Sequence, residues 1–183
     1  MLIRTLLPVF IGACATWMAT AAEVPRPATD FAINMEDGSQ IPLSQYRGKV
    51  CVLAFILTTC PHCQKTVGIL STIQNEYGPR GVQVIASATD DMGKLNVPDF
   101  IKNFHPSFPV GFNARLDAEG FLQHDDKFLL YVPQLVFIDR QGVIRAQHPG
   151  EDKDFWENQE KNIRDQIDAL LAEPAHKKHT AAK

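Results

Sequence analysis

The chemistry of this chain is concentrated in Cys60-Pro61-His62-Cys63, where two residues separate a pair of thiols. The segment follows the apolar run 50–57 and precedes a stretch with helical periodicity. At the start of a helix, side chains at positions i and i+3 lie on one face, one turn apart, so the two sulfurs can close a small disulfide ring. The spacing therefore predicts a redox-active dithiol.

The two thiols are expected to differ because they stand at different places relative to the helix. Cys60 falls where the helix starts, so unpaired backbone N–H groups and the positive end of the helix dipole favour its thiolate. Pro61 suits the first helical position, and a donor or a positive imidazole at His62 would stabilise the same thiolate. Cys63, one turn later, should be more buried. We therefore expect Cys60 to exchange disulfides with the substrate and Cys63 to resolve the product.

Other uses of a cysteine pair fit the sequence less well. Zinc needs about four ligands, and the sequence has no second closely spaced cysteine pair and no well-spaced histidine pair outside the C-terminal segment 175–183. Haem attachment would need a histidine directly after the second cysteine, where Gln64 stands. Cys51 lies within an apolar strand and is interpreted as a small buried hydrophobe. No metal and no cofactor are therefore expected.

The first 21 residues have the pattern of an export signal. Arg4 precedes the apolar run 6–17, and Ala19-Thr20-Ala21 supplies small residues for a cleavage site. The apolar run is shorter than the roughly 20 residues of a membrane-spanning helix. Ile11-Gly12-Ala13-Cys14 also resembles a lipoprotein processing site, so a lipid anchor at Cys14 stays open. We expect a periplasmic or secreted protein after signal-peptide cleavage.

Size and charge limit the class of protein. The chain has 183 residues, with 18 Lys and Arg against 21 Asp and Glu and a formal net charge of -3, so no basic footprint for nucleic acid is visible. Its 4 cysteines are too few for a disulfide-stapled scaffold. We predict a signal peptide over 1–21, one domain over 22–174 and a disordered basic tail over 175–183, in a monomeric protein.

Strands and amphipathic helices alternate along the predicted domain, which indicates an α/β fold. The unbroken apolar run 50–57 predicts a central strand buried on both faces. A helix follows the dithiol and ends near Gly78-Pro79, and strand 82–88 completes a parallel crossover unit. The remaining segments predict an N-terminal hairpin (31–34 with 40–43), helices over 97–104, 115–123 and 152–172, an extended piece over 108–112, and an antiparallel hairpin (129–139 with 143–147).

These segments, taken in order, resemble the TlpA/ResA-type branch of the thioredoxin superfamily. The motifs that carry the resemblance are Asp30-Phe31, Asp37-Gly38, Tyr46-Arg47-Gly48-Lys49, the dithiol, Arg80-Gly81-Val82 and Phe137-Ile138-Asp139-Arg140-Gln141-Gly142. The resemblance implies a thioredoxin-like fold, with a central mixed β-sheet flanked by helices and an N-terminal β-hairpin extension. It also implies an exported thiol-disulfide oxidoreductase that acts on protein thiols or disulfides and has a membrane or periplasmic redox partner.

The resemblance further implies a cis-proline loop beside the dithiol, here Val132-Pro133, which would bind an extended substrate segment. The dipeptide Pro61-His62 resembles the oxidising DsbA branch instead. Ala54 and Thr66 stand where relatives carry acidic proton acceptors for the second cysteine, which makes a fast general reductant less plausible. Thr59 replaces the tryptophan that commonly precedes the first cysteine.

Two other functions of exported thioredoxin-like chains compete with thiol-disulfide exchange. Some exported thioredoxin-like proteins hold copper through two thiolates and a distant histidine, and His105, His124 and His148 are candidates for that third ligand. Those proteins usually space their cysteines more widely. A peroxidase would need threonine three residues before the reactive cysteine, and Leu57 stands there. The copper-binding metallochaperone is therefore the alternative to the oxidoreductase.

Overall fold

The computed structural model describes residues 22–125 and 127–174. The predicted signal peptide, the lipidation site considered at Cys14 and the predicted basic tail lie outside the described residues.

The described residues form one mixed sheet with helices on its two faces. The strands are β1 (Arg26–Pro27), β2 (Ala32–Asn34), β3 (Gln40–Pro42), β4 (Val50–Ile56), β5 (Val82–Ala88), β6 (Val110–Phe112), β7 (Gln134–Ile138) and β8 (Val143–His148). The helices are α1 (Pro61–Tyr77), α2 (Gly93–Phe104), α3 (Arg115–Leu122), α4 (Lys153–Glu157) and α5 (Gln159–Ala172), with short 3-10 turns at Leu43–Tyr46 and Gly78–Arg80.

Strand β4 lies in the interior of the sheet, whose order is β1-β8-β7-β4-β5-β6-β2-β3. It pairs in parallel with β5, with Ile56 opposite Ala88 at the end, and antiparallel with β7. All seven residues of β4 are buried, as the unbroken apolar run predicts. The predicted central mixed sheet and the N-terminal hairpin, formed by β2 and β3, are confirmed.

Alternate residues of β4 enter two different core layers, because successive side chains of a strand point to opposite faces. Val52, Ala54 and Ile56 pack in the layer that contains the buried residues of α1, α2 and α5. Cys51 and Phe55 pack in the other layer, which contains α3. Helix α1 therefore covers one face of the strand that precedes it.

The predicted last helix over 152–172 is wrong as a single element, because the chain leaves helical geometry at Asn158. The side-chain amide of Asn162 donates to the carbonyls of Asp154, at 3.2 Å, and Phe155, at 2.8 Å. These side-chain bonds satisfy carbonyls at the end of α4 and stabilise the break between α4 and α5.

The predicted strand over 129–139 is shorter than expected, because β7 begins only at Gln134. Pro133 has no N–H to donate to a neighbouring strand, so pairing can start only after it. Leu129 and Tyr131 are exposed, whereas Leu130 is buried. The segment before Pro133 is therefore a loop that runs over the surface beside the end of β4.

The chain before the hairpin also joins the sheet. Arg26 and Pro27 form β1 and pair with Ile144 and Val143 of β8. Among the helices of the described residues, none is both long and apolar enough to cross a membrane.

Candidate active site

The dithiol lies where β4 ends and α1 begins. Cys60 is the N-cap residue of α1 and has extended backbone angles, with φ -81 and ψ 118. Its Sγ accepts a hydrogen bond from the Cys63 backbone N–H, with a separation of 3.4 Å. Pro61 occupies the first turn of the helix, as predicted. The sulfur of Cys60 therefore binds an N–H that has no carbonyl partner within the helix. The Cys60 residue is partly exposed.

Cys63 lies one turn into the helix and is fully buried. Burial raises the pKa of the Cys63 thiol, the Leu57 N–H at 3.5 Å from Sγ opposes that rise, and Cys60 and the Asp90 carboxylate add to it. Both cysteines are free thiols. The structure thus separates a reachable sulfur from a buried, protonated one, as the sequence predicts.

His62 is exposed, and its carbonyl accepts a hydrogen bond from Thr66 Oγ1 at 2.9 Å. Among the described contacts, no hydrogen bond joins the imidazole of His62 to Cys60. The role of His62 in stabilising a thiolate therefore stays a prediction. Thr66, which replaces an acidic residue of relatives, is buried and also bonds to Gln159 Oε1 at 2.9 Å.

The Val132–Pro133 peptide bond is cis, as the resemblance implies. Val132 and Thr59 line the same depression, which has a volume of about 400 Å³. Because Thr59 directly precedes Cys60, the proline loop and the dithiol lie next to each other at this edge of the sheet. The binding of a substrate segment by Val132 and Pro133 stays a prediction.

Asp90 is a residue of the site that the sequence reading missed. It follows β5, and its carboxylate accepts hydrogen bonds from the Thr58 backbone N–H, at 3.0 Å, and from Thr58 Oγ1, at 2.9 Å. A signal was present in the sequence: both residues stand two positions after the ends of adjacent parallel strands. Carboxyl ends of parallel strands meet at one edge of a sheet.

Cys51 is buried at 3% exposure in the layer that contains α3, on the face of β4 away from α1. Burial raises its pKa to about 12. Its interpretation as a small buried hydrophobe is confirmed.

Two of the three candidate copper histidines bond to other groups: His124 to the Phe128 carbonyl at 3.2 Å, and His148 Nδ1 to Asp152 at 2.9 Å. His105 is exposed at the end of α2. Within residues 22–125 and 127–174, no group of three or more His, Cys, Asp or Glu side chains could hold a metal ion. The copper-binding alternative therefore has no supporting ligand set in that part of the chain.

Sequence comparisons relate most of the chain to known thiol-disulfide enzymes. Residues 23–167 match the family Redoxin. The thiol-disulfide oxidoreductase ResA of Geobacillus thermodenitrificans is 32% identical over 129 residues, which cover 69% of each chain. ResA of Bacillus thuringiensis subsp. konkukian is 29% identical over 129 residues, 70% of this chain and 71% of that protein.

Comparison with solved structures gives the same fold. A putative thiol:disulfide interchange protein DsbE from Chlorobium tepidum superposes with a TM-score of 0.69 at 24% identity, over 81% of this chain and 97% of that chain. A putative thioredoxin from Neisseria meningitidis gives a TM-score of 0.60 at 24% identity, over 83% and 97%. The thioredoxin-like fold is thus confirmed, and the chain belongs to the Redoxin family, as a thiol-disulfide oxidoreductase of the TlpA/ResA type in the thioredoxin superfamily.

Proposed function

We propose that this protein is an exported oxidoreductase that exchanges a Cys60–Cys63 disulfide with protein substrates. The observation that carries the proposal is the inequality of the two sulfurs. Cys60 is partly exposed at the helix start, and Cys63 is buried one turn later with a raised pKa. An exposed sulfur can meet a macromolecular disulfide, while a buried neighbour can complete the exchange.

The exchange conserves atoms and electrons. In the reducing direction, the Cys60 thiolate attacks one sulfur of a substrate disulfide, a Cys60–substrate bond forms, and the second substrate sulfur leaves as a thiolate that takes a proton. Cys63 then loses its proton and attacks Cys60 Sγ, which forms the Cys60–Cys63 disulfide and expels the first substrate sulfur as a thiol. The substrate gains two electrons and the protein loses two. The oxidising direction is the reverse.

The surroundings of Cys60 support a protein as the substrate. Met92, Leu129 and Tyr131 are large hydrophobic residues with more than half of their surface exposed. Met92 lines the same depression as Thr59 and Val132, and Leu129 and Tyr131 belong to the loop that leads into Pro133. A polypeptide segment next to a cysteine could cover this apolar surface, which a small thiol would leave in water.

The proposed location rests on the N-terminal sequence. The charged, apolar and small-residue parts of the first 21 residues are typical of an export signal. In an oxidising compartment the protein would exchange electrons with a membrane or periplasmic redox partner. Expression in a bacterium followed by fractionation and mass spectrometry of the mature protein tests this, and we expect a new N-terminus near Ala21 or Ala22. A diacylated Cys14 would show the lipid-anchored form, and an intact N-terminus in the cytoplasm would contradict export.

Insulin reduction and refolding of a reduced, disulfide-containing protein test the exchange itself. We expect Cys60→Ser to abolish both activities, because the sulfur that forms the mixed disulfide is gone. Cys51→Ser is the matched control, since it removes a thiol from the same strand–helix unit but away from the site. Equal activity of wild type and Cys60→Ser would refute the proposal.

A further inference from the structure

Asp90 occupies a position that the pairing of β4 and β5 determines. Ile56 lies opposite Ala88 in the parallel register, and the Thr89 N–H donates to the Ile56 carbonyl at 2.9 Å, so the pairing continues past the strand ends. Two residues beyond this pair, Thr58 and Asp90 lie side by side. The carboxylate of Asp90 is therefore held at the same sheet edge as the dithiol.

Thr58 binds the Asp90 carboxylate with two donors, and Thr58 is itself fixed by a hydrogen bond from Gln64. Its backbone N–H and its hydroxyl both donate to Asp90, while its carbonyl accepts a hydrogen bond from Gln64 Nε2 at 3.0 Å. Thr58 itself is 6% exposed. The Leu57 N–H, one residue earlier, faces Cys63 Sγ at 3.5 Å. The carboxylate and the buried sulfur thus flank the same short loop.

The other charged groups around the site are paired or lie on its rim. Arg115 lines the same depression as Asp90, but its guanidinium bonds to Glu119 at 2.7 Å. Asp91 also lines that depression and is exposed.

Two further titratable groups belong to β8 and the following loop. His148 stacks on Phe155, a member of the core layer that contains Cys63, and pairs with Asp152. Among the carboxylates of the described residues, Asp90 is the one that adds to the rise that burial causes in the pKa of Cys63.

On the basis of the proposed function, we propose that Asp90 is a positioning residue of the dithiol: held by Thr58 beside the loop that faces Cys63 Sγ, its carboxylate slows the attack of Cys63 on a mixed disulfide at Cys60. A negative charge disfavours a second negative charge in its neighbourhood, and the effect is strong where water is excluded. Because burial of Cys63 already makes Cys60 the sulfur that meets the substrate, the carboxylate acts on the rate of the resolving step and not on the order of attack.

A small aromatic disulfide, dithiobis(nitrobenzoate), separates the two steps. Cys60 of the reduced protein attacks it and releases one thionitrobenzoate, and Cys63 then attacks Cys60 Sγ, forms the internal disulfide and releases the second. Stopped-flow absorbance measures both releases across a range of pH.

For Asp90→Asn we expect the second release to be about threefold faster near neutral pH, with the first release changed by less than about twofold. The Asp90 charge raises the pKa of Cys63, so its loss should lower that pKa and increase the thiolate fraction, while the weaker nucleophilicity of a less basic thiolate offsets part of the gain. The rate profile of the second release should shift to lower pH.

Three variants control the experiment. Asp91→Asn removes the exposed carboxylate on the rim of the same depression, and it should accelerate the second release less than Asp90→Asn does. Asp90→Glu retains the charge and should restore the slow second release, while Asp90→Ser removes the charge with a different side chain and should behave as Asp90→Asn does. Thermal unfolding of each variant tests whether the fold is retained.

The outcomes separate this inference from the proposed function. A slower second release in both Asp90→Asn and Asp90→Ser would overturn the inference and make Asp90 a proton acceptor for Cys63. Rates equal to those of Asp91→Asn would overturn it as well. A wild-type protein that releases no second thionitrobenzoate would instead refute the proposed function, because Cys63 would then not resolve the mixed disulfide.

Discussion

The two ends of β4 carry cysteines in opposite chemical situations. Cys51, near the start of the strand, is buried among side chains of the layer that contains α3, and burial raises its pKa to about 12. Cys60 lies just past the end of the same strand and is partly exposed at the start of α1. The residue type is the same and the chain separation is small. Position relative to the strand end therefore decides which thiol can do chemistry.

The physical difference lies in what the backbone offers to each sulfur. Inside the sheet, the N–H groups of β4 are used by pairing with β5 and β7. At the helix start, N–H groups lack a partner within the helix, and one of them points at Cys60 Sγ. Cys60 Sγ thus faces a backbone donor at the helix start, whereas Cys51 lies in an apolar layer where burial opposes its thiolate.

The comparison predicts a large difference in alkylation rate. With the folded, reduced protein and iodoacetamide near neutral pH, we expect Cys51 to react at least about 100-fold more slowly than Cys60, because it is both buried and protonated. Mass spectrometry of peptides after timed quenching measures both rates, and denatured protein provides the reference for unprotected thiols. Comparable rates in the folded state would contradict the contrast drawn between the two ends of β4.

A second difference should appear within the dithiol. Cys63→Ser keeps the exposed sulfur but removes the buried one, so a mixed disulfide formed at Cys60 can no longer be resolved internally. We expect mixed disulfides with a substrate protein to accumulate about tenfold or more above the wild-type level, since Cys63 can no longer attack Cys60 Sγ and release the substrate. Non-reducing electrophoresis with Cys60→Ser as the negative control measures this. Mixed disulfides between the Cys60→Ser variant and the substrate protein would show that a thiol other than Cys60 reacts, and would contradict this prediction.

The smallest effect is expected at Cys51, on stability rather than activity. Cys51→Ala should lower the free energy of unfolding by about 1 kcal/mol near neutral pH, because removal of the buried sulfur leaves a small void. Insulin reduction should stay within about twofold of wild type. Denaturant unfolding and the insulin assay measure the two quantities, and a large loss of activity would place Cys51 in the site.

The same variant should also change the pH dependence of stability. The pKa of Cys51 is about 12 in the folded protein and about 8.5 in an unfolded chain, so the folded state retains a proton that the unfolded state releases. The contribution is full below about pH 8.5 and is lost as pH rises toward the folded value, by up to about 1.4 kcal/mol per pH unit. Wild type should therefore lose stability more steeply than Cys51→Ala above about pH 9.

Local pattern was enough to predict most elements of the fold. Strand β4 and helix α1 are predicted from the apolar run 50–57, the dithiol and the periodic stretch after it. Burial on both faces of a strand requires consecutive apolar residues, and a helix with one buried face requires apolar residues at helical spacing. The position of Pro61 in the first helical turn follows from the geometry of proline alone.

Pattern failed where contacts from distant residues decide the outcome. The amphipathic period of 152–172 continues across Asn158, and the break there is stabilised by bonds from the Asn162 side chain. The apolar residues before Pro133 predict a strand, yet the proline delays sheet pairing until Gln134, which lies opposite Phe55 of β4. Both Asp90 and Asp91 follow β5, and the parallel register of β4 and β5 decides that Asp90 is the one opposite Thr58.

The sequence by itself determined the reactive segment, its place between a buried strand and a helix, and the class of exchange chemistry, because a dithiol and its flanking pattern are adjacent along the chain. Tertiary structure alone decided which carboxylate stands near the buried thiol and which surface surrounds the exposed one. Asp90 reaches the dithiol loop through Thr58, 32 positions away in sequence. Such a contact exists only after β4 and β5 pair, since pairing of parallel strands brings distant chain segments to one edge.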